Sequence, residues 1–206
     1  MLNLIISLFL NLLVHAHPVT FEDGVMLKNM AREDMSETSI TYSFAPRFAV
    51  GIEYDRLQMG PLDTSWGLLE FNALVQRWNG EHSQGNIYLL TGAGGYWDDQ
   101  QTSSFAGKLG LQADYETRRF YTLGSFTAWQ SEDVESYYAL YRVGYAPFVA
   151  GYNDLNVWAI MQFDYNPDMR SEVQVTPYLR FFYKNVLWEM GASLRGNFYW
   201  QFMVHI

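Results

Sequence analysis

Histidine side chains are the groups in this sequence best suited to acid–base or metal chemistry, and each one has a different setting. His82 stands in the trio Glu81-His82-Ser83, which has the residue types of a hydrolase site. Neighbours along a turn seldom point at one another, so we interpret His82 as an exposed turn residue. No nucleophile is placed with a histidine as acid–base catalysis requires, and the sequence therefore predicts that the protein is not an enzyme. A mechanism that uses carboxylates alone stays open.

His17 is the weak candidate for a metal ligand. If the chain is cleaved after Ala16, the α-amino group and the imidazole of His17 together can chelate copper. Met26, Met30 and Met35 follow within twenty residues, and thioethers are soft ligands for Cu(I). The alternative is that these methionines only pack in the core or against lipid. No phosphate loop or metalloprotease motif is present, so we expect no cofactor.

The composition excludes several classes of protein. The 206 residues include no cysteine and carry a formal net charge of -9. The absence of cysteine excludes a disulfide scaffold and a thiolate zinc site. The negative charge argues against a nucleic-acid partner, which would need a basic face. Although 17% of the residues are aromatic, no run of about 20 apolar residues forms a membrane-spanning helix.

The first residues have the pattern of an export signal. Residues 4–14 are apolar except for Asn11, and Val14-His15-Ala16 provides a small residue before a cleavage point. We therefore predict a signal peptide over residues 1–16 and a single domain over residues 17–206.

The rest of the sequence alternates between two kinds of residue with a period of two, which predicts β-strands. In the clearest segment, Phe105, Leu109 and Leu111 share one parity, and Lys108 and Asp114 share the other. Twelve segments are predicted to be strands, with a ten-stranded barrel as the alternative: 24–31, 37–44, 48–57, 66–78, 86–97, 104–116, 120–130, 137–146, 155–166, 173–184, 186–195 and 197–206. Pro177 lies inside one of them, where we expect a bulge or local irregularity.

Three patterns favour a transmembrane barrel with its apolar face outward over a soluble barrel. The strand number is even. The connections after odd-numbered strands are mostly longer and acidic, whereas three of those after even-numbered strands are tight. Aromatic residues also gather near strand ends, as they do at membrane interfaces: Trp66, Trp78, Tyr96, Trp97, Trp129, Tyr137, Tyr165, Tyr183 and Trp200.

The last strand carries the most specific pattern. Phe198, Trp200, Phe202, Val204 and Ile206 fall on one parity at the end of the sequence. This resembles the C-terminal strand of Gram-negative outer-membrane proteins, which the assembly machinery reads and which usually ends on an aromatic residue. The whole predicted domain resembles small outer-membrane β-barrel proteins, without indicating a subfamily. The resemblance implies an all-β, antiparallel transmembrane barrel in the cell outer membrane.

Charged residues on the inward parity are predicted to line the lumen in paired networks or along a hydrated pore. They include both signs, which argues against an anion-selective channel for sugar acids. The predicted set is Lys28, Glu53, Asp55, Glu70, Lys108, Asp114, Glu116, Arg142, Asp164, Arg180, Lys184, Glu189 and Arg195. Inward aromatic residues are predicted to accompany it: Tyr88, Tyr138, Tyr178, Phe182 and Tyr199.

Acidic residues in the connections after odd-numbered strands are predicted to form a rim on the cell exterior. The rim includes Asp98, Asp99, Glu132, Asp133 and Glu135. Three roles stay open for this rim: it attracts cations, it binds divalent ions that bridge to lipopolysaccharide, or its acids only keep the loops solvated. The expected partners are outer-membrane lipid, lipopolysaccharide and the assembly machinery, and a protein partner in an envelope complex stays open. The leading prediction is a small channel, and the alternatives are a plugged structural barrel, a lipid-modifying enzyme and a copper-handling barrel.

Overall fold

Twelve antiparallel strands form one closed barrel in the computed structural model, which describes residues 17–151 and 153–206. Each strand pairs with its neighbours in sequence, and β1 pairs with β12 to close the wall. The predicted twelve-stranded barrel is therefore confirmed, whereas the predicted signal peptide lies outside the described residues. The strands are β1 Val25–Arg32, β2 Met35–Ala45, β3 Phe48–Met59, β4 Leu62–Asn79, β5 Ser83–Asp98, β6 Ser103–Thr117, β7 Phe120–Ser131, β8 Glu135–Tyr145, β9 Asn156–Tyr165, β10 Gln174–Tyr183, β11 Val186–Ala192 and β12 Phe198–His205.

The period-two alternation gives the wall an apolar outer face and an inner face that carries the buried charged side chains together with an apolar cluster. Leu69, Leu111 and Ile52 are 70%, 56% and 56% exposed, whereas Glu53 and Glu70 beside them in sequence are buried. A wall with this exterior is suited to hydrocarbon, because closure of the barrel satisfies the backbone groups that lipid cannot. In the described part of the chain no helix is long and apolar enough to cross a bilayer.

The two ends of the barrel differ in their connections. We call the end where β1 begins and β12 ends the terminal end, and the opposite one, which holds the connections after odd-numbered strands, the rim end. The expectation that the rim-end connections are the longer ones is only partly correct. Residues 33–34 and 60–61 are tight turns at the rim end, and the longest connection, residues 146–155, lies at the terminal end. At the rim end several strands continue beyond the segments in which hydrophobic residues alternate, so the connections there are shorter than predicted.

Two close backbone approaches explain glycines in the wall. A Cβ on Gly94 would lie 2.0 Å from the carbonyl oxygen of Gly67, and one on Gly191 would lie 2.4 Å from that of Pro177. The irregularity expected at Pro177 is not found: the register between β10 and β11 shows no shift, and beyond Pro177 the amide of Leu194 still donates to the carbonyl oxygen of Val175 at 3.0 Å. Pairing of β10 with β9 continues through Pro177 without interruption.

Candidate functional site in the lumen

The lumen holds a narrow cavity of about 150 Å³. At the terminal end it is lined by His17, Pro18 and Met26, and towards the rim end by Arg32 and Met35. Between these ends its walls carry charged and polar side chains from most of the strands. The inward parity of the strands has therefore produced an elongated cavity with both polar and apolar lining in a largely packed interior.

A lysine network crosses the cavity on the side of β1 to β6. Lys108 on β6 contacts the carboxylates of Glu53 and Glu70, the latter at 3.1 Å from Nζ. Lys28 on β1 donates to Glu37 on β2 at 2.5 Å. All five side chains lie on the lumen face of their strands, so Lys28 meets Glu37 on the neighbouring strand, and Lys108 reaches Glu70 two strands away and Glu53 three strands away.

Asp55 adjoins this network and is almost completely buried. Its Oδ2 accepts a hydrogen bond from Trp129 Nε1 at 3.1 Å. Its Oδ1 has no hydrogen-bond partner among the described protein groups, and the residue lines the cavity. A buried carboxylate oxygen requires a donor, and Asp55 interacts with the buried carboxyl of Glu53, so a proton shared between the two carboxyls can satisfy it.

An arginine network occupies the opposite side, on β8 to β12. Glu189 Oε1 accepts a hydrogen bond from Arg180 Nε at 2.6 Å, and Glu189 Oε2 lies 3.6 Å from Arg142 Nη1. Arg142 also donates to Gln162 at 2.9 Å and to the Tyr199 hydroxyl at 3.0 Å. The two guanidinium groups thus depend on one fully buried carboxylate, and Arg180 also lies over the Tyr121 ring, 4.5 Å from its centroid.

A third group of charges holds the β9–β10 connection over the rim end. Arg170, in that connection, contacts Asp34 and lies 3.3 Å from Asp164. Arg32 on β1 contacts the same two acids, at 2.7 Å and 2.6 Å. We call these four residues the rim latch, because they tie the β1–β2 turn, the end of β9 and the β9–β10 connection together.

Apolar side chains fill the lumen beneath the rim latch. Trp66 and Tyr96 are fully buried there, with ring centroids 4.8 Å apart at 61°. Met35, Leu57 and other apolar side chains belong to the same buried cluster. Several rings that we expected at membrane interfaces are therefore inside, because their parity is inward: Trp66, Tyr96 and Trp129, whereas Trp78, Trp97, Tyr137 and Tyr183 are exposed on the outer side.

Residues 17–24 cover the terminal end of the barrel, and His17 and Val19 are buried in its mouth, whereas Phe21 is exposed. Val19 is buried against Ala49, Leu74 and Tyr88, and the backbone amide of Thr20 donates to Ser43 Oγ at 2.9 Å. The ring of His17 lies 5.6 Å from that of Tyr88. This short segment narrows the terminal mouth, as the apolar cluster narrows the rim end.

The structure places most of the predicted lumen residues on the lumen side and two outside it. Lys108, Asp114, Glu116, Arg142, Asp164, Arg180 and Glu189 are buried or half-buried inside the wall. The prediction that Arg195 and Lys184 face the lumen is wrong. β11 ends at Ala192 and β10 at Tyr183, so Arg195 pairs with Glu172 in exposed connections and Lys184 lies in a tight turn.

The lumen consequently carries more acids than bases. The acids are Glu37, Glu53, Asp55, Glu70, Asp114, Glu116, Asp164 and Glu189, and the bases are Lys28, Arg32, Arg77, Lys108, Arg142 and Arg180. Sequence reasoning missed the roles of Arg32, Arg77 and Glu37. Arg32 and Glu37 follow the inward parity of their strands, which was the available signal.

The five acids of the predicted rim lie at the rim end, at strand ends or in connections. Asp98 has a local structural role, since its carboxylate accepts hydrogen bonds from the backbone amides of Gln100 and Thr102. The other four are exposed: Asp99, Glu132, Asp133 and Glu135. At the other end of the chain, the side chains of the last strand that were predicted to guide assembly lie on the outer face: Phe198, Trp200, Phe202, Val204 and Ile206.

The three described histidines have unlike surroundings. His82 is exposed in the β4–β5 turn, with Nε2 3.8 Å from Glu81. His17 and His205 are buried at the terminal end, and His17 Nδ1 lies 3.6 Å from Asp114. In residues 17–151 and 153–206, no three histidine or carboxylate side chains converge as metal ligands.

Comparison with known proteins shows the fold of the chain. No protein-family model matches the sequence, and no curated protein matches it. The structure is similar to that of the KdgM porin, with a TM-score of 0.50 and 10% identity over 88% of this chain and 97% of that one. The KdgM porin in complex with disordered oligogalacturonate gives a TM-score of 0.51 at 10% identity, with the same coverage. The predicted resemblance to outer-membrane β-barrels is confirmed at the level of fold.

Proposed function

We propose that the protein is a narrow channel of the outer membrane that conducts ions and small solutes. The observation that carries this proposal is the cavity, lined by both charged and apolar side chains, that follows the lumen from His17 to Arg32 inside a twelve-stranded wall. Twelve strands enclose more space than the eight whose side chains can fill a barrel completely. The rim latch and residues 17–24 narrow the two ends, so conduction requires them to move.

The charges favour cations as the conducted ions. Acids exceed bases in the lumen, and the exposed rim acids add further negative potential at one mouth. The related fold has been solved with an oligogalacturonate, which is a polyanion. Here most of the basic side chains in the lumen are paired with carboxylates, so we expect this lumen to exclude such a ligand.

The second candidate is a filled structural barrel. The observation that favours it is the buried cluster beneath the rim latch, in which Trp66, Tyr96 and Leu57 are fully buried. A barrel closed by this cluster conducts no ions, and its role is to support the structure of the outer membrane or to bind a protein partner. The two candidates differ in whether the cluster opens.

Conductance in planar lipid bilayers tests the channel. We expect discrete current steps from the purified protein in potassium chloride, and a reversal potential that indicates cation preference in a salt gradient. Asp55→Asn should lower the cation current, because Asp55 lines the cavity. Asp63→Asn is the matched control, since Asp63 pairs with the exposed Arg56 outside the lumen. Absence of steps refutes the channel and favours the filled barrel.

We further propose an orientation and a set of partners. The rim end faces the cell exterior, where divalent ions link its acids to lipopolysaccharide, and the terminal end faces the periplasm. The outward residues of β12 support recognition by the assembly machinery. No catalytic activity is proposed: in the part of the chain that the structure describes, the three histidines lie at the terminal end, and none of them is placed with a nucleophile. Extraction tests the location: urea-washed outer membranes should retain the protein.

A further inference from the structure

Two histidines and two methionines converge at the terminal end of the lumen. Met26 on β1 is the register partner of His205 on β12, and Met203 lies two residues before His205 on the same face. Met26 and Met203 share one buried cluster, and His17 lines the same cavity as both of them. From this arrangement we infer that the four side chains form a binding site for a soft monovalent metal ion, Cu(I) or Ag(I).

The backbone register places Met26, Met203 and His205 near one another on the lumen face. Directly opposed residues in an antiparallel pair have Cβ atoms about 4.5–5.5 Å apart, and diagonal neighbours about 7–8 Å. Met26 and His205 are opposed, and Met26 and Met203 are diagonal. His17 lies against Tyr88 on β5 and Asp114 on β6, so it reaches the terminal mouth from the opposite wall.

The donor types determine the class of metal. Thioethers are soft ligands that select Cu(I), whereas calcium and magnesium require oxygen ligands. The described residues offer no cluster of three histidines or carboxylates for a harder ion. Asp114 is 3.6 Å from His17 Nδ1, which is the place of a carboxylate that orients a ligating imidazole.

Further methionines continue from this site towards the rim. Met30 and Met35 line the same cavity, and Met59 and Met169 lie in or against the apolar cluster near the rim latch. By contrast, Met161 and Met190 face outward along the wall. Thioether donors therefore occur at both ends of the lumen. From this distribution we expect soft monovalent cations to be the ions that the channel conducts. That last step depends on the proposed channel function, whereas the binding site itself does not.

Silver binding tests the site directly. The full chain in detergent micelles is titrated with silver nitrate in chloride-free buffer by isothermal calorimetry. We expect the double variant Met26→Leu and Met203→Leu to bind Ag(I) at least about tenfold more weakly than the unchanged chain. The double variant Met161→Leu and Met190→Leu is the matched control, because it removes two thioethers from the outer face, and its affinity should be unchanged.

His205→Gln provides an independent variant that leaves both thioethers in place. It should also weaken Ag(I) binding about tenfold or more, and heat-modifiable gel migration identifies the folded protein in every sample. The site is refuted if the unchanged chain does not bind Ag(I), or if the folded variants bind as tightly as the control. Equal affinity for Zn(II) refutes the soft-ion assignment.

Conductance separates this inference from the proposed function. A protein that conducts potassium but does not bind Ag(I) overturns the metal site and leaves the channel. A protein that binds Ag(I) through Met26, Met203 and His205 but never conducts overturns the channel and leaves the site.

Discussion

Removal of the Glu189 charge should strongly destabilise the barrel. Glu189 is fully buried and is the shared ionic partner of Arg180 and Arg142. Glu189→Gln keeps the size of the side chain and leaves both guanidinium groups without their carboxylate. Breaking a buried ion pair from one side costs about 3–5 kcal/mol. The glutamine oxygen still accepts one hydrogen bond, so we expect a loss near the lower limit, about 3 kcal/mol in the free energy of unfolding.

Urea unfolding of the barrel in lipid vesicles, followed by tryptophan fluorescence, measures this loss. Glu172→Gln is the matched control, because it breaks the Arg195–Glu172 pair, whose side chains are 54% and 69% exposed. Exposed pairs contribute at most about 1 kcal/mol. The double variant Arg180→Met and Glu189→Met should recover part of the loss, since apolar replacement of a buried pair is often tolerated.

An equally small loss for Glu189→Gln and Glu172→Gln would refute the reasoning. Water would then screen the charge of Glu189 as it screens that of Glu172, and the arginine network would border a wide aqueous pore. The same measurement therefore reports how dry this side of the lumen is.

Three further predictions address the mouths and the last strand. Arg170→Gln removes one base of the rim latch and should lengthen open times in single-channel records; unchanged open times would mean that the latch does not control the rim end. Neutralising Glu132, Asp133 and Glu135 together should shift the reversal potential in a salt gradient towards lower cation preference, because their field then no longer attracts cations. If the reversal potential stays constant, these acids only solvate their connection. Phe202→Ser places a polar group on the outer face of β12 and should reduce the heat-modifiable, folded fraction in isolated outer membranes, whereas normal folding would contradict a role for this strand in assembly.

The alternation of residue types was sufficient to predict the strands, because a barrel wall imposes a period of two on every strand. It also placed Lys108, Arg142 and Glu189 on the lumen side. It failed at Arg195, where apolar and polar residues continue to alternate after the backbone has left the ladder. The alternation did not predict which face of the wall Trp66 occupies, because an aromatic ring is compatible with either face.

The sequence did not predict which side chains of opposing strands contact each other across the lumen. The Trp129–Asp55 hydrogen bond and the Arg32–Asp164 pair join residues 74 and 132 positions apart. Such contacts depend on how the closed wall positions opposing strands, and no local pattern records them. The methionine and histidine site is intermediate, since His17 and Met26 were noted in the sequence and His205 and Met203 join them only after β1 meets β12.

The long-range pairs of the lumen also constrain the order of events during folding. Arg32 reaches Asp164, and Arg170 reaches Asp34 from 136 positions away, so neither contact can form before most of the chain is in place. Local hairpins can form early, but closing such long loops is entropically costly and slow. The rim latch is therefore expected to form late in folding. Because those contacts are absent from an early transition state, they chiefly slow unfolding, and the rim latch gives the closed barrel a long kinetic lifetime.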